Sequence, residues 1–506
     1  MIDMQASLPS QLFTAEQVRR LDAAAIASGI APIHLMKRAG RCAFGVLQHH
    51  WPMAEQVCVF AGTGNNGGDG FIVAALAAGR GLQAQVILLG DKNQLNGEAL
   101  LAYQFAVQEG VSVCAWQDFK TDPLQGPCVL VDALLGTGLS GDVRETYVDA
   151  IRYMNFAGLP TLALDIPSGL CADSGAELGA VVMADITATF VGLKRGLFTG
   201  RGPAVCGQLY YFDLDIPVSV LESERAEVER ADWHDLLGLL PEREVDAYKN
   251  HFGHVMVVGG DLGMGGAVGM ASEAAARSGA GLVSVATRPE HLSAVLARHP
   301  EVMVHGVPSG QALEPLLEKP TVLAVGPGLG RSPWSEQLLQ QAVKSETAMV
   351  LDADGLNILA EGRVVPEAHS DDWVLTPHPG EAARLLGLTT AEVQANRIGA
   401  VKALQEKFGG IVVLKGAGSL IVGPDTPVLL CPHGNPGMAT AGMGDVLSGL
   451  IAGLIAQDVE LFEAAAIAVY LHALAGDAVA EDYGQRGIMA TDLLPYVREL
   501  LNAVED

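Results

Sequence analysis

QVCVFAGTGNNGGDGFIVAALAAGRG, Gln56 to Gly81, reads as a β run, a glycine loop and an apolar helix in immediate succession. Strand, glycine turn and helix in that order make the βα unit of nucleotide-binding α/β sheets, in which phosphate oxygens sit on the free N–H groups of the helix start. Gly62, Gly64 and Gly67 satisfy the spacing GxGxxG, and Asp91, after the next β run AQVILLG, stands where a ribose-binding acid would. That spacing arises by chance in glycine-rich chains. Asn65, Asn66 and Asp69 are more informative, because they put three oxygen-bearing side chains into a turn that needs none merely to reverse direction.

Working outward, two more apolar β runs end in the same way. CVLVDALLGTGLSGD places Asp132 at the end of a strand, followed by a glycine loop from Gly136 to Asp142; LPTLALDIPSG places Asp165 before Pro167 and Ser168. In a parallel sheet the carboxyl ends of the strands share one edge, so Asn66, Asp132 and Asp165 are expected to meet in one crevice. Carboxylates brought together repel unless a proton or a cation lies between them. Oxygens of Asn66, Asp132 and Ser168 suit a hard monovalent or divalent cation; the alternative is that the aspartates cap helices or form turns. In DITATFVGLKRGLF, Lys194 reads by default as a solvated surface lysine. The helices predicted at Thr14 to Gly29 and over HLMKRAGRCAFGVLQHH cover a sheet or make a dimer surface, and carry no evident chemistry.

After YYFDLDIP the chain turns charged and strand-free, which marks residues 218–232 as a linker or connecting helix between a domain at 1–217 and another at 233–506. The second part repeats the alternation of β and α signals: HVMVVGG, GLVSVAT, TVLAVGPGLG, AMVLDADGLN, DWVLTPHPGE and GIVVLKGAG each end an apolar run in a polar or glycine-rich loop. SLIVGPDTPVLLC reads as a hairpin turning at Gly423 to Pro427. It leads into HGNPGMATAGMGDVLSGLIAGLI, where small residues precede an apolar helix and Asp445 stands at its tip. A helix tip holds phosphate well. A carboxylate beside phosphate is costly unless it takes a proton from an attacking hydroxyl, which makes Asp445 a candidate base; the alternative is a simple N-cap. Gly326 to Gly330, Asp352, Asp354, His378 and Lys415 fall on the same predicted edge.

The chain has 506 residues, enough for two to four domains. Its net charge of −27 argues against nucleic acid or an anionic membrane as partner, so phosphate must be gripped locally. The start MIDMQASLPSQLF lacks the apolar core of a signal peptide, and no run approaches the ~18 apolar residues of a spanning helix. Seven scattered cysteines without a CxxC pair fit reduced cytoplasmic thiols rather than zinc. The expected fold is two three-layer α/β domains.

Taken together, LMKRAG, AGTGNNGGDG, VDALLGTGLSGD and LDIPSGL, then GHVMVVGG, VGPGLG, LDADGLN, TPHPGE, LKGAGS and GNPGMATAGMGD, resemble the bifunctional NAD(P)H-hydrate repair enzymes over nearly the whole chain. The resemblance implies a Rossmann-like epimerase domain followed by a ribokinase-like, ADP-dependent (S)-NAD(P)H-hydrate dehydratase domain. It implies contact with the hydrated nucleotide by Asn65, Asn66, Gly67, Gly68 and Asp69, by Gly136, Thr137, Gly138, Leu139, Ser140, Gly141 and Asp142, and by Asp165. Potassium is implied at Asn66, Asp132 and Ser168. In the second half it implies Ala267, Gly328, His378 and Asp445 for the hydrate, and Lys415, Gly416, Ala417, Gly418, Ser419 and Gly444 for the adenine nucleotide. The implied reaction epimerises (R)- and (S)-NADHX or NADPHX and dehydrates the S form, with ADP giving AMP and phosphate through a phosphorylated intermediate. Asp165 and Asp445 are the expected catalytic residues and Mg2+ the expected companion of ADP; a cytoplasmic homo-oligomer is expected. A ribokinase-type small-molecule kinase with a non-catalytic N-terminal module is the alternative.

Overall fold

The computed structural model describes residues 8–119 and 126–503, so the stretch read above for a leader lies partly outside them. The chain divides into two compact units, Met1–Glu229 and Arg230–Asp506.

In the first unit the β runs form a parallel sheet from Gln56–Ala61 (β1), Gln83–Leu88 (β2), Ser112–Ala115 (β3), Cys128–Ala133 (β4), Thr161–Leu164 (β5), Ile186–Phe190 (β6) and Gln208–Phe212 (β7). The order is β3-β2-β1-β4-β5-β6-β7, every pair parallel. It reverses between β1 and β4, and at such a switch point the two neighbouring loops diverge and leave a crevice at the strand ends. Helices Ala15–Ala27 (α1), Pro32–His50 (α2), Asn65–Gly79 (α3), Gly97–Gln108 (α4) and Glu145–Phe156 (α5) cover the sheet. Alternate residues of β1 explain the three layers. Val57, Val59 and Ala61 pack with Val18, Leu35 and Phe71 of α1, α2 and α3, whereas Cys58 and Phe60 pack with Ala150, Ile151 and Met154 of α5. At about 1.5–3 kcal/mol for each large apolar side chain buried, both faces must be covered.

Two features depart from the sequence reading. Asn65 to Gly70 are the first turns of α3 and not a loop, because the helix starts at Gly64 as soon as the chain leaves β1. Residues 218–232, read as strand-free, hold after the short helix Val218–Leu221 a strand, Val228–Glu229, whose antiparallel partner is Gln11–Phe13. Two residues are too few to show in a sequence pattern.

The second unit contains His254–Val258 (β8), Leu282–Thr287 (β9), Met303–Gly306 (β10), Val322–Val325 (β11), Ala348–Leu351 (β12), Trp373–Leu375 (β13), Ile411–Leu414 (β14), Ser419–Val422 (β15) and Val428–Cys431 (β16). They run in the order β10-β9-β8-β11-β12-β13-β14-β15-β16, parallel up to β14 and antiparallel through the hairpin β15–β16. The elements that matter for chemistry are the helices Gly265–Arg277 (α6), Pro379–Leu386 (α7), Arg397–Phe408 (α8), Met443–Ile455 (α9) and Leu461–Tyr483 (α10). Small residues let α9 lie on α6 at backbone distance: a Cβ added at Gly449 would stand 2.1 Å from the Ala271 carbonyl oxygen. Helix α10 is long and apolar enough by composition to cross a membrane, yet 72% of its apolar window is buried inside the unit, where it serves as core.

Candidate active sites

In the first unit a cavity of about 720 Å³ opens at the switch point. The turn between β1 and α3 is drawn tight against its neighbour: a Cβ at Gly62 would lie 2.1 Å from the Leu134 carbonyl oxygen, and one at Gly67 2.0 Å from that of Gly62. This close stacking turns Asn65, Asn66 and Asp69 toward the cavity, while Gly67 and Gly68 are buried packing positions off its wall. The loop after β4 supplies Gly136, Thr137, Gly138, Leu139, Ser140 and Asp142 to the wall; Gly141, at φ +73°, shapes the loop without lining it. Asp91 caps a short turn by accepting the Asn93 N–H at 2.9 Å and is not part of the cavity.

Asp165 follows β5 in the left-handed region, φ +66°, and lines the cavity. Its partner overturns the reading of Lys194 as a solvated lysine. Lys194 is fully buried, forms an ion pair with Asp165, and also donates to Thr189 Oγ1 at 3.1 Å and to the Phe190 carbonyl at 2.9 Å. A buried ammonium persists only with a carboxylate and further acceptors around it. Asp132 lies behind the wall. Ser168 donates to it from its N–H at 2.7 Å and from its hydroxyl at 2.6 Å, and burial pushes its carboxyl up to about 6. Beside them the buried amide of Asn66 has no hydrogen-bond partner at either Oδ1 or Nδ2.

One residue of this cavity has no signal in the sequence. Asp22 lines it from α1 together with Val18 and Ile26, at spacings of four residues on one helix face. Burial first, then the charge of Asp165, raises its carboxyl to about 6, and Asp69 is pushed well above the ordinary range by burial and by Asp165 and Asp22.

In the second unit Gly442, at φ +92°, turns the chain into α9, so Met443, Gly444 and Asp445 form the first turn. A Cβ at Gly444 would meet Asp352 Oδ2 at 3.1 Å and Lys415 Nζ at 3.2 Å, which brings the ends of β12 and β14 to the helix tip. Lys415 pairs with Asp352 at 2.6 Å, and Ser448 donates to the other carboxylate oxygen at 2.8 Å. Burial alone would raise Asp352; the Lys415 charge and these hydrogen bonds more than offset it and hold the carboxyl below its usual range. Lys415 is thus a paired cation and not a snorkelling one. Asp445 has the opposite fate: burial, reinforced by the Asp352 charge, lifts it to about 7.

His378 caps α7, its Nδ1 accepting from the N–H groups of Gly380 and Glu381 at 2.9 and 3.3 Å, while Nε2 lies 3.4 Å from the Glu381 carboxylate and half of the ring is exposed. Gly328 and Ala267 touch, a Cβ at Gly328 falling 3.0 Å from that of Ala267. Asp354 is structural, accepting from the Gly330 N–H at 3.0 Å. Lys415 to Ser419 make the turn between β14 and β15, closed by Ser419 Oγ on the Gly416 carbonyl at 3.1 Å. Beneath that turn lies Arg397, which the sequence reading missed: it is 2% exposed and donates to the carbonyls of Leu414, Lys415 and Gly418 at 3.1–3.3 Å. An arginine early in an amphipathic helix has no pattern to betray such a role.

Two family models match the chain, one described as NAD(P)H-hydrate dehydratase over residues 255–499 and one as YjeF-related protein N-terminus over 32–196. A bifunctional NAD(P)H-hydrate repair enzyme Nnr of Coxiella burnetii is 47% identical over 97% of this chain and 99% of its own length. Its counterpart in Escherichia coli is 39% identical over 98% and 95%. Among solved structures, a ribokinase-like superfamily protein of Enterococcus faecalis superposes with a TM-score of 0.51 at 30% identity, covering 55% of this chain and 96% of that one.

Proposed function

This chain belongs to the bifunctional NAD(P)H-hydrate repair enzymes, an epimerase joined to a dehydratase, and we propose how its residues divide that work. The substrate carries a hydroxyl where water has added beside the ring nitrogen of the reduced nicotinamide. Hydroxide leaves such a carbon badly, and phosphate leaves well. In the C-terminal unit Asp445 takes the proton of that hydroxyl, and the N–H groups at the α9 tip together with Lys415 stabilise the phosphoryl group arriving from ADP. Phosphoryl transfer leaves AMP; the ring-nitrogen lone pair then expels phosphate to form a C=N bond, and loss of a proton from the neighbouring ring carbon returns that pair to nitrogen and restores the C=C bond. Ala267, Gly328 and His378 hold the hydrate, with Gly444 and the Lys415 to Ser419 turn on the nucleotide. Mg2+ accompanying ADP supplies charge neutralisation that an acidic chain lacks.

In the N-terminal unit, proposed as residues 1–217 with 218–232 joining it to 233–506, the cavity takes the hydrated nucleotide and Asp165 exchanges protons with its hydroxyl. The unpartnered Asn66 amide beside Asp132 and Ser168 fits a K+ ion, which would supply positive charge and position to the loops around it. Substrates are NADHX or NADPHX and ADP, in the cytoplasm, with a homo-oligomer the proposed assembly.

The observation that carries this reading is the carboxyl of Asp445, lifted to about 7, in the first turn of α9 beside the Asp352–Lys415 pair. The test incubates the protein with (S)-NADHX, ADP and Mg2+ and follows dihydronicotinamide absorbance. Recovery of absorbance that Asp445→Asn abolishes supports the reading; a stable phosphorylated product from the unaltered protein sinks it.

A further inference from the structure

We propose that Asp22 of α1 is a second proton-transferring group of the N-terminal site, serving the face of the bound ring opposite the one Asp165 serves. The proposal rests on the reading of this cavity as the epimerase site.

Inverting the hydroxyl-bearing carbon imposes a geometric demand. A protonated acid gives its proton to the hydroxyl oxygen, the C–O bond breaks, water departs, and the ring-nitrogen lone pair forms a C=N bond. Water then adds from the other face: a new C–O bond forms, the C=N electron pair returns to nitrogen, and a base takes one proton from the incoming water. One proton is given and one taken, on opposite sides of a flat ring. A single carboxyl reaches both sides only if the ring turns over in the site. Two carboxyls on different walls remove that requirement.

Asp165 comes from the sheet edge and Asp22 from α1, and both line the cavity. Position 22 lies between Val18 and Ile26 on the flank of α1 that lines the cavity, beside the buried face of Val18, Leu21 and Ala25. Several contacts fix it there. A capping box at Thr14 and Gln17 starts α1, the Ala15 N–H bonds to Asp173 Oδ1 at 2.8 Å, and Arg20 grips Glu224 at 2.6 and 2.8 Å. The strand before it, Gln11–Phe13, pairs in parallel with Leu193–Lys194, so the helix bearing Asp22 is registered on the segment that carries the lysine partner of Asp165. Asp69 lines the same space and is raised by burial first and then by Asp165 and Asp22.

The experiment uses the full chain with (R)-NADHX, without ADP so that no dehydration intervenes, in water enriched in oxygen-18. Chromatography follows the appearance of the S epimer, and mass spectrometry follows label entering the hydroxyl. Asp22→Asn is expected to lower kcat for both by about 10²–10³-fold with KM little changed, and Asp22→Glu to restore a large part. ADP-driven dehydration of the S form and the melting temperature show that the Asn variant is folded; should it not fold, Asp22→Glu and Asp22→Ser carry the same comparison. Undiminished epimerisation in Asp22→Asn, with Asp165→Asn inactive, overturns the role of Asp22 alone. Undiminished epimerisation in both variants overturns the assignment of the cavity itself.

Discussion

Each unit places an ion-paired aspartate and lysine at the carboxyl edge of a parallel sheet, and they use the pair in opposite ways. In the N-terminal unit Lys194 grips the aspartate that faces the cavity, Asp165. In the C-terminal unit Lys415 grips Asp352, which is buried and held below its usual range, and the carboxyl we propose as the reactive one is its neighbour Asp445, raised to about 7. Proton exchange with water needs a carboxylate kept ready, whereas drawing a proton from an alcohol needs a stronger base. Burial first, and then the Asp352 charge, make Asp445 that stronger base. The difference follows the difficulty of the two reactions.

The sharpest way to break this contrast is Asp445→Asn. Phosphorylation-driven dehydration is expected to fall by about 10²–10⁴-fold while epimerisation continues, as measured by absorbance recovery from the S and R epimers separately. Next in size is Lys415→Met, which leaves Asp352 as an uncompensated buried charge and is expected to cost about 3–5 kcal/mol of C-terminal stability by denaturant titration. Because Asp352 is depressed in the folded state, its contribution is present above the unfolded carboxyl value and is lost as pH falls through the lower folded value, so the deficit of the Met variant shrinks in acid. Asp445 has the reverse sign. With a folded value near 7, its burial costs nothing below about pH 4, costs more as pH rises toward 7, and is constant above. Asp445→Asn is therefore expected to stabilise by about 2 kcal/mol at pH 8 and by almost nothing at pH 4, while the dehydration rate of the unaltered protein rises as pH passes 7. The smallest effect is expected of Thr14→Ala. Loss of the α1 capping box costs about 1 kcal/mol in thermal unfolding, and epimerisation suffers before dehydration does.

The sheets and their loops were legible because each β run is apolar and ends in Gly, Asp or Pro, which are local signals. The same holds for Asp445 at its helix tip and for Asp165 and Asn66 at the switch point. Asp22, Lys194 and Arg397 were not legible, for a shared reason. Each is a charged residue in a helix or strand whose pattern permits a solvated reading, and only the packing of distant elements encloses it. Lys194 is buried by the segment before α1, and Arg397 by the turn it supports. The helical start at Asn65 was missed for the opposite reason: glycines and asparagines speak locally for a loop, and the close stacking on Gly62 and Leu134 outweighs them.

The left-handed backbone at Asp165 has a consequence for how this protein fails. Apart from glycine, asparagine is among the few residues that accept that conformation readily, and other side chains strain the backbone there by about 1–2 kcal/mol. The replacement that best preserves the shape of the chain is thus one that removes the acid. That same replacement takes the carboxylate from fully buried Lys194, so the residue that suits the backbone leaves an uncompensated ammonium inside, and the ion pair penalises what the main chain would tolerate.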